Sequence, residues 1–287
     1  MKIIKPSVEF YGAVPTDYEG ALRFIEMAGR TCYRSEDKIT PDSAEKFVRK
    51  LIAAGHLAMV EHSNFVVRAK MDVVGEMAPM VLGKYINRTG DADYIYTGGS
   101  LTAWRNLLMR GGMEIEFIPF VREYGEIFSV PFAYKGLRAS AWQPCPHDEI
   151  PPALHRYSAK FICDRGVSHE LVRHRPCSFA QESTRYVNYA GKNMEFIRPD
   201  GFAEWAEENQ IRFMIACSEA EAAYNGLLLK GLTPQQARAV LPNALKTEIV
   251  VTADAAEWSH IKKLRTAKSA HPDMVRVMGM MPWEEFL

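Results

Sequence analysis

The 287-residue sequence carries no net charge, no long apolar run, no paired-cysteine framework and no glycine-rich phosphate loop, and each absence closes a class of function. Lys plus Arg (35) balance Asp plus Glu (35), so nothing draws the whole chain toward nucleic acid or an anionic membrane. Any anion site has to be built locally. No run approaches the roughly 20 apolar residues of a membrane span. The opening MKIIKPSVEF lacks the apolar core of a signal peptide. Cys32, Cys145, Cys163, Cys177 and Cys217 are odd in number and scattered, which suits reduced thiols in a cytoplasmic protein better than disulfides. Neither G-x-G-x-x-G nor G-x-x-x-x-G-K-[ST] occurs, so neither a Rossmann nor a P-loop site is indicated.

What is present is ordinary in bulk, with 47% hydrophobic and 24% charged residues. Without an internal repeat, low-complexity tract or obvious linker, the chain reads as one elaborated domain. Residues 1–10 alternate as a first strand. Thr16 and Glu19 have capping-box spacing, ahead of an apolar stripe of Ala21, Leu22, Ile25 and Ala28. Thr40-Pro41 predicts a second helix start, with Ala44, Phe47, Val48, Leu51 and Ile52 on one face and Gly55 as the stop. HLAMVEH reads as a connection and NFVVRA as a strand. DADYIYTGGS reads as an edge strand before a Gly-Gly turn, Leu101 to Leu108 as a short helix, and MEIEFIPF as a strand. Residues 131–156 read as an irregular surface loop. SAKFIC is a buried strand and Val167 to Val172 a helical turn. A long helix runs from Phe202 to Leu229, and another starts at Thr233-Pro234. LKTEIVVTA is a strand, Ala255 to Lys268 a helix with Trp258, Ile261 and Leu264 on its apolar side, and Pro272 to Leu287 a terminal helix.

The chemistry concentrates in residues 166–189, GVSHELVRHRPCSFAQESTRYVNY. Arg173, Arg175 and Arg185 offer planar, permanently charged forks for phosphate or carboxylate, among hydroxyls and turn-prone residues. The residues alone leave open a solvated basic loop or structural salt bridges. His169 and His174 resemble a zinc-protease pair, but five residues apart they sit about 140° from each other on a helix and cannot share a metal. His56 and His62 have no third metal ligand nearby in sequence, so no metal is expected. Cys177 beside Arg175 invites a nucleophilic reading, yet no catalytic partner is evident and it reads as structural. What remains is Arg173, Arg175, Arg185, Arg238 and Arg265 with His56, His174 and His260. That set suits a ligand with several anionic groups.

Order and spacing add more. RHR, two residues, Ser, a polar pair, Ser, one residue and Arg-Tyr resembles the signature of the flavin-dependent thymidylate synthase family. GHLAMVEHSNF (55–65) resembles its Gly-His…Glu-His element and GLTPQQARAVLPNALKTEIVVTADAAEWSHIKKLRTAKSAHPDM (231–274) its C-terminal block. GRTCYRS (29–35) is a weaker match. Residues 71–156 separate blocks that lie closer together in short members, as an enlarged insertion would. The resemblance implies an α+β fold with a largely antiparallel sheet flanked by helices. It also implies a homotetramer with active sites shared between subunits, and conversion of dUMP to dTMP using methylenetetrahydrofolate and NADPH through bound FAD. By motif position, Glu170, Arg173, Gln181, Glu182, Ser183, Thr184, Arg185, Arg238 and Arg265 would hold dUMP. His56, Glu61, Arg173, His174, Arg175, Gln181 and His260 would lie at FAD, with Arg265, Arg173 and Ser183 as the catalytic set. Ala58, Asp254 and Ala256 depart from the family pattern, the last two replacing the usual Asn and Arg near the flavin. The alternative is a non-catalytic nucleotide- or nucleic-acid-binding relative that has lost flavin use. Neutral charge and the lack of aromatic–basic interleaving speak against a nucleic-acid module.

Overall fold

Two short strands open the chain, β1 (Lys2–Ile4) and β2 (Ser7–Ala13), where one had been expected. The computed structural model describes residues 1–74, 86–109, 117–129, 141–191 and 194–287. Helix α1 (Tyr18–Thr31) starts one residue later than the Thr16–Glu19 spacing suggests, because Asp17 takes the cap and accepts from Gly20 N–H at 2.8 Å. Its stripe of Ala21, Leu22, Ile25 and Ala28 is buried as predicted. Helix α2 (Ala44–Ala53) begins after Ser43 rather than at Pro41: Thr40 N–H donates to Ser43 Oγ, which itself donates to Glu26 Oε2, so 40–43 is a turn. Gly55, at φ +74°, ends this helix in a conformation that favours glycine. A one-turn helix, α3 (Leu57–Val60), replaces the expected connection.

The following segment builds a sheet of its own from β3 (Phe65–Lys70), β4 (Ile86–Gly90), β5 (Tyr94–Gly99) and β6 (Gln143–Pro144). Helices α4 (Met71–Val74), α5 (Leu101–Met109) and α6 (Phe117–Tyr124) complete it. The strand order is β4-β5-β3-β6, antiparallel throughout, so the expected edge strand at 94–99 lies inside the sheet. Gly98 permits that placement, since a Cβ there would meet Val66 Cγ2 at 2.9 Å. Residues 117–120 of the expected strand MEIEFIPF are helical, while 113–116 lie outside the described residues. Phe120, Val121 and Tyr124 have helical spacing and pack on Phe65, and Pro119 sits in the first turn where its missing N–H costs nothing. Within 131–156 the described part is largely irregular, but Trp142, Ile150 and Leu154 are buried, so it is not all surface. β3 is covered on both faces, by the α1/α2/α5/α6 core and by turns at 147–154, which is why FVVRA barely alternates.

The second half of the chain supplies β7 (Arg156–Asp164), α7 (Arg165–Leu171), β8 (Ser178–Gln181), β9 (Glu195–Ile197), α8 (Glu207–Leu229), α9 (Pro234–Ala237), β10 (Lys246–Asp254), α10 (Ala255–Arg265) and α11 (Pro272–Met278). The main sheet runs β2-β7-β10-β8, all antiparallel, while β1 pairs parallel with β9. One face of the main sheet, with Phe161, Ile249 and Val251, packs under α7, α10 and α11. The other places Ala180 and Val250 against Ala28 of α1 and carries Lys160, Lys246 and Glu248. α8 begins at Glu207, after a 3₁₀ turn at 202–204, and buries only Cys217 and Tyr224. Of the apolar face expected from Ala206, Phe213, Ile215, Ala216, Ala220, Ala223, Tyr224 and Leu227, only Tyr224 is buried and Ile215 is exposed; Ile211, Met214 and Leu229 are exposed too. α10 stops at Arg265 and leaves Leu264 exposed, against expectation, because Ile261 and Trp258 already fill the sheet-facing stripe. α11 is shorter than the tail predicted; Met281 and Trp283 beyond it are buried in turns. Among the described residues no helix is long and apolar enough to cross a membrane.

Trp258 is fully buried and donates Nε1–H to Tyr157 O at 3.0 Å. Trp258→Ala should lower the free energy of unfolding by about 3–5 kcal/mol in urea titration; a loss below about 1 kcal/mol would show that the α10–sheet contact is not the support assigned to it.

Candidate active site

β7 and β10 each end in an aspartate that caps the next helix. Asp164 accepts from Val167 N–H at 2.9 Å and Asp254 from Glu257 N–H at 2.8 Å. α7 and α10 thereby leave the sheet at fixed points and lie side by side on its apolar face. Val167 and Leu171 anchor α7; Trp258 and Ile261 anchor α10. Their polar edges meet at Arg265, the last residue of α10. Its Nη1–H donates to Glu170 Oε2 at 2.6 Å, Nη2–H to Glu170 O at 3.0 Å, and Nε–H to His174 Nε2 at 3.0 Å. Three of five guanidinium donors are engaged, and two remain for a ligand.

His174 Nδ1 lies 3.0 Å from Glu257 Oε1. Since Nε2 accepts from Arg265, the proton belongs on Nδ1 and is donated to Glu257. Burial, aided by the charges of Arg265 and His260, holds His174 below the usual histidine range although the Glu257 hydrogen bond pulls the other way. A neutral His174 with both nitrogens engaged fixes the guanidinium of Arg265. Glu257 was missed in the sequence, although Asp254-Ala-Ala-Glu257 has capping-box spacing. Among the described residues, His174, Glu257 and His260 are also the one group with ligand atoms close enough to hold a metal, within 4.8 Å of one another. The sequence did not foresee that grouping.

The rest of the motif is divided between interior and surface. Arg173 and Arg175 are exposed on either side of buried His174. Arg173 has no carboxylate within ion-pair distance among the described residues. Gln181 Nε2–H donates to Ser168 Oγ (2.9 Å) and Thr247 Oγ1 (3.2 Å), which ties β8 to α7. Glu182 is buried, accepts from Tyr189 O–H at 2.6 Å and lies 3.2 Å from Lys246 Nζ. Its carboxylate shapes the loop from within. Ser183 N–H donates to Cys32 O at 2.9 Å, and Tyr186 packs on Tyr33 with ring centres 5.4 Å apart. Loop 183–186 is thus seated on the 29–35 segment. Arg238, just after α9, donates Nη1–H to Thr184 Oγ1 at 3.2 Å, while Arg185 is exposed over the Tyr186 ring. The structure gathers Glu170, His174, His260 and Arg265 in one group and Ser183, Thr184, Arg185 and Arg238 in another.

His56 and Glu61 flank α3, His56 exposed and Glu61 half-buried. Arg156, also missed in the sequence, organises the Glu61 end. Its Nη1 donates to Glu61 O and Ser63 O, both at 2.6 Å, and its Nη2 to Ser178 Oγ at 3.0 Å. Burial raises the Glu61 carboxyl, with Arg156 and Ser178 opposing. His62 lies inside the protein, Nδ1 at 2.8 Å from Thr252 Oγ1, and burial pushes it down to about 3. Asp254 does not stand out as a loose negative charge: besides capping α10 it accepts from Asn87 Nδ2–H at 3.2 Å, so β4 holds it. All five cysteines are free thiols. Burial pushes the Cys177 thiol well above its ordinary range, which removes it as a nucleophile near neutral pH.

The charge of these residues fits a flavin dinucleotide. Exposed Arg173, Arg175, His56 and His260 suit phosphates and ring edges. The cavities touching Glu61, Asp254 and Glu170 measure about 60, 240 and 240 Å³, small beside the ~300–1,000 Å³ of ligand clefts.

Fold and side-chain placement together define an α+β protein with antiparallel sheets, on which several arginines of the motif gather beside a buried Cys177. The family model described as "Thymidylate synthase complementing protein" matches residues 16–75 and 154–285. A flavin-dependent thymidylate synthase of Geobacter sulfurreducens is 38% identical over 106 residues, 37% of this chain and 45% of that protein, so this match spans less than half of the relative. Those of Mycobacterium bovis and Mycolicibacterium vanbaalenii are 34% and 24% identical over 279 residues, each covering 91% of this chain and 74% of the relative. The chain belongs to the flavin-dependent thymidylate synthase family. The UMP/dUMP methylase PolB from Streptomyces cacaoi, bound with 5-Br dUMP, superposes at a TM-score of 0.44 with 16% identity over 100% of this chain and 93% of that one, too distant to carry weight.

His62 gives a pH test. Folded, it binds a proton only near pH 3, whereas unfolded it titrates near 6.5. Between those values the unfolded state holds the extra proton, so stability falls as pH drops, by up to about 1.4 kcal/mol per unit. His62→Gln should flatten the slope of unfolding free energy against pH between 6.5 and 4. An unchanged slope would mean His62 is not the acid-sensitive group.

Proposed function

We propose that the chain makes dTMP from dUMP in the cytoplasm, with methylenetetrahydrofolate as one-carbon donor and NADPH as reductant through bound FAD. The observation that carries this reading is Arg265, clamped by Glu170 and His174 with two N–H groups left over. An arginine so held can place positive charge beside a uracil ring on which negative charge develops, at no reorganisation cost in the reaction. Ser183, Arg185 and Arg238 with Thr184 bind the nucleotide phosphate, and Gln181 and Glu182 set the shape of that loop. Glu170 orders Arg265 and reaches the nucleotide.

Arg173, Arg175, His56, Glu61 and His260 hold FAD, which supplies hydride chemistry when bound; His174 acts by fixing Arg265. The residues then supply positioning and electrostatics, and the buried Cys177 thiol fits a reaction with no cysteine attack. The small cavities at Glu61, Asp254 and Glu170 and the exposed Ile211, Met214, Ile215 and Leu229 of α8 support a homotetramer whose subunits complete each other's sites.

Two measurements test this. Purified protein with FAD should retain a visible flavin band that shifts on adding dUMP, and dTMP should form with NADPH and methylenetetrahydrofolate. Failure to retain flavin at excess FAD would hand the lead to the nucleotide-binding alternative. Arg265→Ala should lower kcat about 10²–10³-fold; His174→Gln should lower it less and leave flavin retention intact. Wild-type turnover in Arg265→Ala would remove its assigned role.

A further inference from the structure

A larger cavity lies outside the arginine set, a groove of about 650 Å³ between α1, the turn at 35–38, α2 and His56. Its side chains are basic and aromatic with no carboxylate among them: Arg30, Lys38, Lys46, Lys50, His56 and Phe47. Arg30 is neutralised by buried Glu26 at 2.7 Å and lies over the Phe47 ring at 4.5 Å, forming the floor. Lys38, Lys46 and Lys50 are exposed and, among the described residues, have no carboxylate within ion-pair distance. In a chain of 35 basic and 35 acidic residues, three uncompensated lysines around one groove form a local excess that the whole does not have.

The groove adjoins the candidate site at two points. Tyr33 on its wall packs against Tyr186 of loop 183–186, with the rings tilted at 45°, and His56 begins α3, whose far end is Glu61. A ligand running from the site into the groove would lay an aromatic group along Phe47 and Tyr33 and direct its outer end toward the lysines. Lys46 and Lys50 are one helical turn apart, with Lys38 on the adjoining turn. This is a spread of point charges suited to carboxylates strung along an extended chain, whereas a compact pyrophosphate is better met by a cluster of backbone N–H groups or an arginine fork.

We infer that this groove binds the oligo-γ-glutamyl tail of the folate co-substrate, with its aryl group on the Phe47 side. The inference rests on the proposed thymidylate synthesis, and the test keeps the two apart. Each exposed Lys–carboxylate pair contributes a factor of about two to five. KM for triglutamyl methylenetetrahydrofolate should therefore be about tenfold below that for the monoglutamyl form, and the gap should shrink with added salt.

The triple variant Lys38→Glu, Lys46→Glu, Lys50→Glu should erase the gap while leaving kcat and the monoglutamyl KM unchanged; exposed positions on intact helices keep it folded, checked by thermal melting. Equal KM values for the two folates in the wild type would overturn the proposal. So would a variant that raises KM for NADPH but not for NADH, which would assign the groove to a ribose phosphate. If no dTMP forms with either folate, the proposed function fails, and calorimetry with tri-γ-glutamate peptide still judges the groove: binding lost in the triple variant supports it, no binding to the wild type overturns it.

Discussion

The antiparallel pair β7–β10 is the constraint on which everything else depends. Nine residues pair in strict register, from Lys246 opposite Asp164 to Asp254 opposite Arg156. Side chains alternate across a sheet, so a one-residue slip would exchange Phe161, Ile249 and Val251 with Lys160 and Glu248 between the core and polar faces. The same register sets both aspartate caps, at opposite ends of the pair, and so fixes where α7 and α10 begin. Glu170, His174, Glu257 and Arg265 meet because two helices start at positions dictated by strand pairing.

The polar face of the sheet holds the other half of the site in shape. Lys246 and Glu182 form a buried pair, and Tyr189 occupies the second carboxylate oxygen. Such a pair is weak evidence for stability, since desolvation offsets the attraction, and each partner has a second one: Glu248 for Lys246 and Arg34, at 3.8 Å, for Glu182. Its effect is to define the 182–186 loop. Arg156 does the equivalent for the 61–63 segment by donating to the carbonyls of Glu61 and Ser63, the first of which also accepts from Ser178 Oγ. Neither Lys246 nor Arg156 was singled out in the sequence, yet each decides where the candidate side chains lie.

The β4-β5-β3-β6 sheet is more than an appendage. It shares its core with α1 and α2 through Val48, Leu51, Phe65 and Trp104, and its Asn87 reaches back to Asp254. The departure from the family pattern at 254 thus has a local partner. The carboxylate is used as a helix cap and as an acceptor for an amide that β4 provides. For Ala256, exposed in the first turn of α10, nothing in the structure explains the change.

Local chemistry was legible in the sequence wherever it acts over a few residues. The stripe of α1, the glycine stop at 55, the β-branched run of β10 and the spacing of RHR through Arg185-Tyr186 all follow from side-chain periodicity, backbone freedom and motif order. The sequence alone also showed that any anion site in a neutral chain must be local. Tertiary structure decided what periodicity cannot encode. It placed 94–99 inside a sheet, made 117–120 helical against Phe65, turned Glu182 inward, and brought Glu257 and Arg156 into the site across 83 and 95 residues of separation from His174 and Glu61. The reason is physical: a capped helix or a turn is fixed by energies within a few residues, whereas a side chain's direction and partner are fixed by register and burial between distant segments, which become neighbours only when the sheet forms.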